Sequence, residues 1–185
     1  MKISIDKVVY AGAVLGFFAL MVAGCGKKES LQQYYVNSAE KEGFINLELP
    51  AGMLDVSKLE LTPEQKEAYT SIKKLNVLAL PVTAENEAVF REEKEKINTI
   101  LADDNFEELF RLSDKDKRAV LKYLGDEEAI DEVVFFGADD ERGFVLVRIL
   151  GKDMSPERMV EFVKLMENSD IDEGQLGSLK ELLGS

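Results

Sequence analysis

The chain has 185 residues, is 45% apolar and carries ten phenylalanines, which is enough apolar side chain for one domain with a core and too much for a disordered tail. A formal net charge of −13 sets it against phosphate backbones and disfavours nucleic acid as a partner, and with no histidine there is no Ser-His-Asp or Cys-His nucleophile pair and no imidazole metal site. The single cysteine excludes an intrachain disulfide, so packing alone must hold the fold.

Lys2, Asp6 and Lys7 precede an uncharged run from Val8 to Gly24, which ends in Val22-Ala23-Gly24-Cys25. A charged start, an apolar middle and small residues at a processing point follow the order of a removable secretory signal, although Asp6 is unusual in a basic start. The run is just long enough for an uncleaved membrane span, which needs about 17 residues. The cysteine at its end and the polar Lys27-Lys28-Glu29-Ser30 beyond it favour processing.

Val22-Ala23-Gly24-Cys25 resembles the lipobox of bacterial lipoproteins, with valine where leucine is commoner. The resemblance implies diacylglycerol in thioether linkage to the Cys25 sulfur, cleavage between Gly24 and Cys25, and acylation (palmitate or similar) of the new amino group. Two or three chains, each contributing ~0.8 kcal/mol per buried methylene, hold a protein durably on a bilayer. Gly26, where an aspartate would signal retention, implies the outer membrane, with the body facing the periplasm. Removing residues 1–24 takes away two lysines and one aspartate and leaves a side-chain charge of −14. Such a body stands off anionic headgroups, so the covalent lipid is the expected membrane contact. With Cys25 consumed, thiolate zinc, iron–sulfur and blue-copper sites go too, and no cofactor is expected.

Residues 25–30 read as a lipidated tether and 31–168 as the domain. The tether runs into a helix carrying Leu31, Tyr34 and Tyr35, stopped by Glu40-Lys41-Glu42-Gly43 with Gly43 as its C-terminal cap. Phe44 to Leu49 alternates as a half-buried strand. Thr62-Pro63-Glu64-Gln65 is a helix start with a hydroxyl cap, proline at the first position and glutamine at the third. Ala68, Tyr69, Ile72 and Leu75 follow at helical spacing. Val77 to Val82 reads as a strand whose Pro81 marks its end or an edge. Ala84 to Ala102 reads as an amphipathic helix, with Val89, Phe90, Ile97, Ile100 and Leu101 on its apolar face and Glu92, Glu93, Glu95 and Lys96 among polar positions. Phe106 to Leu112 and Arg118 to Leu124 read as strands, the second with a helical alternative.

Ile130 to Leu150 is a hairpin, with Gly137 to Gly143 supplying the turn. Pairing Phe136 with Phe144 sets Val134 against Leu146, Glu132 against Arg148 and Ile130 against Leu150, so that the two charges meet. Both faces of the hairpin are apolar, which places it centrally in a sheet covered on both sides and ended by Gly151. Ser155-Pro156-Glu157 starts a helix to about Glu167. Residues 169–185 form a polar break and a short amphipathic helix through Leu176, Leu179, Leu182 and Leu183. The fold class is α+β: a single domain with a mainly antiparallel sheet of five or six strands, packed by three or four helices.

Two stretches carry a family resemblance. One is the helix leading into Lys41-Glu42-Gly43-Phe44-Ile45-Asn46-Leu47. The other is Gly143-Phe144-Val145-Leu146-Val147-Arg148-Ile149-Leu150-Gly151-Lys152-Asp153 with the helix after it. From about Leu31 to Met166 the chain resembles a family of small exported bacterial domains of unknown function. The resemblance implies one α+β domain behind an export signal and supplies no catalytic residue.

The acidic groups Asp103-Asp104, Asp126-Glu127-Glu128, Asp139-Asp140-Glu141 and Asp170-Ile171-Asp172-Glu173 fall where turns are expected and read as solvated. Asn168, Asp170 and Asp172 have the spacing that opens a calcium loop. Glu173 stands where the loop needs glycine and Leu179 where it needs glutamate, so no metal is assigned. Arg148 reads as the structural partner of Glu132, with a ligand-binding cation as the alternative. Tyr34 and Tyr35 read as core, with a membrane or partner contact as the alternative. These features lead to a membrane-anchored, non-catalytic envelope lipoprotein that binds another envelope protein or senses the envelope. The alternative is a carboxylate-dependent hydrolase or small-ligand binder. An uncovered apolar sheet face would favour the first, and a cleft lined by carboxylates around Arg148 would favour the second.

Overall fold

Two capping boxes start the first two helices among the described residues. In the computed structural model, which describes residues 29–51, 60–115, 117–126, 129–159 and 161, Ser30 caps α1 (Leu31–Ser38). Its Oγ accepts from the Gln33 N–H at 3.2 Å while Gln33 Oε1 accepts from the Ser30 N–H at 3.1 Å. Thr62 and Gln65 make the same pair for α2 (Pro63–Ser71), where Pro63 fills a first position that needs no N–H donor. The cap of α1 is Ala39, so Gly43, at φ +84°, serves the turn into β1 (Ile45–Pro50) instead of the helix end.

Helical spacing over-extends α2. Ile72 and Leu75 lie in β2 (Ile72–Pro81), which begins directly after Ser71. The β2 backbone is paired on both sides, by β1 and by β6, and that pairing outweighs a periodicity carried by two apolar residues. Pro81 ends β2, where a missing donor is tolerated. α3 (Glu87–Leu101) follows, then β3 (Glu107–Asp114), β4 (Lys117–Asp126), β5 (Ala129–Asp139) and β6 (Gly143–Met154). The stretch 118–124 is strand, so its helical alternative falls. A fourth helix opens at residue 156, where Ser155 Oγ accepts from the Arg158 N–H.

All six strands form one antiparallel sheet in the order β1-β2-β6-β5-β4-β3, with the β5–β6 hairpin at its centre. The chain is a single α+β domain. β5 runs through Gly137 to Asp139, leaving 140–142 as the turn, and Phe136 faces Leu146 where Phe144 was expected. The expected register is thus two residues out. Gly137 does not break β5, because Ala119 of β4 and Val145 of β6 pair with it from either side. A shift of two keeps every side chain on its expected face. Gly143 fixes the end of the turn: its φ of +127° suits glycine, and a Cβ there would collide with the Leu80 carbonyl oxygen. β6 also continues through Gly151 to Met154, so that glycine does not end it.

α1 and α3 cover one face, over Leu78, Leu80, Val120, Val134, Phe136, Phe144 and Leu146. Phe144 centres an aromatic group, 6.0 Å from Phe44, 6.1 Å from Phe90 and 5.9 Å from Phe136 between ring centroids. Val89, expected on the apolar stripe of α3, is 46% exposed, whereas Glu93, expected among polar positions, is buried. On the second face, α2 and Met159 cover only one end, over Leu49, Leu75, Tyr123, Ile130, Val133 and Met154.

The rest of the second face consists of two registered rows that cross every strand. One is Ile45, Ala79, Val145, Gly137, Ala119 and Leu112; the other is Leu47, Val77, Val147, Phe135, Leu121 and Phe110. Val77, Ala79 and Val145 are buried at the middle of the rows, in a cluster that contains no residue of the described helices. At the β3 edge the rows surface, with Phe110 42% and Leu112 64% exposed.

Candidate functional site

The face covered by α1 and α3 is apolar until it reaches Glu132 near the start of β5, Arg148 in the middle of β6 and Asn76 in the middle of β2. Arg148 faces Asn76 on one side and Val134 on the other. Its guanidinium reaches diagonally to Glu132: Nε donates to Oε1 and Nη2 to Oε2, each at 2.7 Å. The two side chains are 12% and 7% exposed. Burial makes a fork-to-fork pair of this kind strongly directional, because little water competes for either charge. Sequence reasoning brings these two residues together by a direct cross-strand pairing, and the structure does so by a diagonal one. Nη1 of Arg148 makes no hydrogen bond with the described residues.

Above the pair, Tyr35 of α1 donates from its hydroxyl to the Leu146 carbonyl at 2.7 Å, pinning α1 across the β2–β6 pair. Burial, foremost, pushes that phenol well above its ordinary proton affinity. Beside it, Lys122 donates to the Leu101 carbonyl at 2.6 Å, placing a cation on the negative end of the α3 dipole. Between these two anchored helices lies a cleft of about 860 Å³. Arg148, Glu132 and Leu124 form its floor, residues 29–32 at the start of α1 form one wall, and Glu92, Glu95, Thr99, Ile100 and Asp103 form the α3 wall. Phe106 and Asn105 close one end. A second groove, about 760 Å³, runs between the starts of α2 and the 156–161 helix, where the described lining includes Thr62, Glu64, Glu67 and Arg158. Leu31, Ile100, Phe106 and Leu124 stand among charged side chains there, over the buried Glu132–Arg148 pair, which makes the first cleft the better candidate for a ligand.

A polar cluster lies further along the same two helices. Glu93 of α3 accepts from Lys41 at 2.9 Å and from Lys96 at 3.0 Å. Burial works against its ionisation and is the largest effect on it, but the hydrogen bonds from Lys41 and Lys96, with the Tyr34 phenol beside them, together outweigh it and hold the carboxyl below its usual range. Burial and the neighbouring Glu93 push the Tyr34 phenol far up. Tyr34 Oη, Ser38 Oγ and Glu93 Oε2 are buried close enough to influence one another's protonation, yet none completes a hydrogen bond of standard geometry. Tyr34 and Tyr35 are therefore core residues. Glu93 is the site residue that sequence reasoning missed: it follows Phe90 by three positions on the buried side of α3, which helical spacing already shows.

Asp103, Asp104, Asp140 and Glu141 occupy turns, as the sequence suggests, whereas Asp139 is the last residue of β5. Asp139 accepts from the Glu141 N–H, which lowers its proton affinity, and Asp140 takes Lys94 at 2.5 Å, tying the hairpin tip to α3. Among the described residues no group of three acidic side chains is arranged to hold a metal ion. No described helix is long and apolar enough to cross a membrane. Gly24 and Cys25, the candidate calcium ligands Asn168, Asp170 and Asp172, Glu127 and Glu128, and the leucines from Leu176 to Leu183 lie outside the described residues.

No curated protein and no solved structure matches this chain. A family model described as Domain of unknown function (DUF4252) matches residues 34–162, from the first helix through the whole sheet and into the helix after it, and the chain belongs to that family.

Proposed function

We propose that this chain is a non-catalytic lipoprotein of the bacterial cell envelope, held on the membrane by lipid on Cys25, that works by binding another envelope protein. The observation that carries the binding reading is the pair of apolar rows that surfaces at β3 as Phe110 and Leu112. Among the described residues β3 is an edge strand paired only with β4, and all eight of its residues are exposed. Natural sheets blunt such edges, because open backbone groups beside apolar side chains recruit another strand. An extended segment of the partner, added as a seventh strand, would complete the backbone pairing and cover both side chains. The test is photo-crosslinking in cells from a reactive residue placed at Leu112. The expected result is an adduct with one envelope protein. Adducts confined to the chain itself, or equal adducts from the exposed face of α3, would sink the reading.

The cleft favours a second reading, ligand binding, and supports it better than hydrolysis. Acid–base hydrolysis needs two carboxyl groups with proton affinities driven apart. Glu132, the buried carboxylate of the cleft, has both oxygens committed to Arg148.

A further inference from the structure

The two edges of the sheet differ. β1 is six residues long, ends in Pro50, which has no N–H to offer a further strand, and ties Glu48 to Lys74 of β2 at 2.8 Å. β3 is bulged between Glu108 and Phe110, and from Phe110 to Asp114 it pairs residue by residue with β4. Its outer side is unpaired among the described residues. The stretch 110–114 is therefore the part of the sheet best built to take another strand.

Three side chains of that stretch share the second face: Phe110, Leu112 and Asp114, in register with Leu121, Ala119 and Lys117 of β4. One strand further in, Lys117 stands opposite Asp139 of β5. Charge thus alternates along this row, from Asp139 through Lys117 to Asp114. Lys117 Nζ lies 3.6 Å from Asp139 Oδ2, and no described cation forms an ion pair with Asp114. The row stops at the edge one cation short, beside two apolar rows that stop there with Leu112 and Phe110 exposed. β4 already shows what fits β3: a cation and two apolar residues at every second position.

We propose, on the reading that β3 takes a partner strand, that this strand has the pattern cation-x-apolar-x-apolar and adds antiparallel, with its cation against Asp114 and its apolar side chains on Leu112 and Phe110. The intervening side chains fall on the opposite face, beside Ser113 and Arg111. Arg111 is already answered by Glu108 at 2.6 Å, so no charge is asked of the partner there. An acid in the first position would stand against Asp114, a like-charge contact that destabilises a strand pair. The formal net charge of −13 acts in the same sense at longer range, drawing a basic segment and repelling an acidic one.

Two end-blocked hexapeptides, KTVTVT and ETVTVT, titrated into the purified full chain under NMR observation, test the pattern. The expected result is saturable perturbation of the 110–114 amides by KTVTVT, with ETVTVT about fivefold weaker, the scale of one cross-strand ion pair gained and one like-charge contact avoided. Asp114→Asn should remove most of the difference between the peptides, and Asp114→Lys should reverse it. Equal or tighter binding of ETVTVT to the wild type, a preference untouched by both substitutions, perturbation centred elsewhere, or no saturable binding of either peptide overturns the pattern. Concentration-dependent perturbation of 110–114 without peptide would make a second copy of the chain the occupant, and overturns it too. If the pattern fails while the Leu112 crosslink to an envelope protein holds, the partner reading stands. If the peptide preference holds and the crosslink is absent, the partner reading falls alone.

Discussion

Arg148 stands opposite Val134, yet both of its contacting nitrogens lie 2.7 Å from the oxygens of Glu132, two residues away along β5. The pair bridges the two central strands at the point where the apolar face turns polar. Removing either partner alone strands a buried charge, which costs about 3–5 kcal/mol, while replacing both with apolar side chains of similar size is close to neutral. Arg148→Met and Glu132→Leu should therefore each destabilise strongly in urea unfolding, with the double variant near wild type. Additive losses would show that the two side chains do not depend on each other.

Glu93 gives the fold a pH dependence of defined sign. Its carboxyl is held below the usual range in the folded state chiefly by the hydrogen bonds from Lys41 and Lys96. A depressed folded pKa means that the unfolded chain binds the proton more readily. The stabilisation is thus present above the unfolded value, about 4.3, and is lost as the pH falls through the lower folded value. Glu93→Gln should lower stability at neutral pH by about 1.5–3 kcal/mol, the scale of hydrogen bonds to a charged group. The gap between variant and wild type should narrow in acid, because protonation removes the same charge from the wild type. Unfolding curves at pH 7 and near pH 3 decide it, and a gap that widens in acid contradicts the assignment.

Much of the fold is legible because local and long-range preferences agree in it. The boxes Ser30–Gln33 and Thr62–Gln65 each satisfy their own donors, so four residues suffice to place a helix start. The two-residue error in the hairpin register left Glu132 and Arg148 on the correct face, because side chains alternate with period two. Ile72 and Leu75 were illegible as strand, since the pairing that fixes them comes from β6, more than seventy residues away. The cleft was half legible. Arg148 and Glu132 stand out as charges in apolar strands, but its walls come from helices that meet only after the sheet brings them together. The exposure of Phe110 and Leu112 has no local signal at all: apolar alternation marks a strand without saying whether the strand lies at an edge.

Leu112→Lys tests the edge without touching the core. Leu112 is already exposed, so the substitution should change stability by no more than about 0.5 kcal/mol, as at ordinary surface positions. Placing lysine on an open edge is also how natural sheets discourage strand addition. With the reactive residue placed at Phe110 instead, the variant should keep the wild-type melting temperature and lose the crosslinked partner. Loss of folding instead would show that Leu112 is covered by this chain itself.

Cys25→Ser tests the anchor. The diacylglycerol needs a thiol, and serine offers a hydroxyl of nearly the same size and far weaker nucleophilicity. Without the lipid, processing between Gly24 and Cys25 should fail, leaving a longer, unacylated chain. Such a chain should leave the outer-membrane fraction, either released or retained elsewhere by its uncleaved apolar run. Intact-mass measurement and membrane fractionation read the two consequences separately. Wild-type protein should lack residues 1–24 and carry the mass of two or three acyl chains. The same mass and fraction for both proteins would remove the lipid anchor from the proposal.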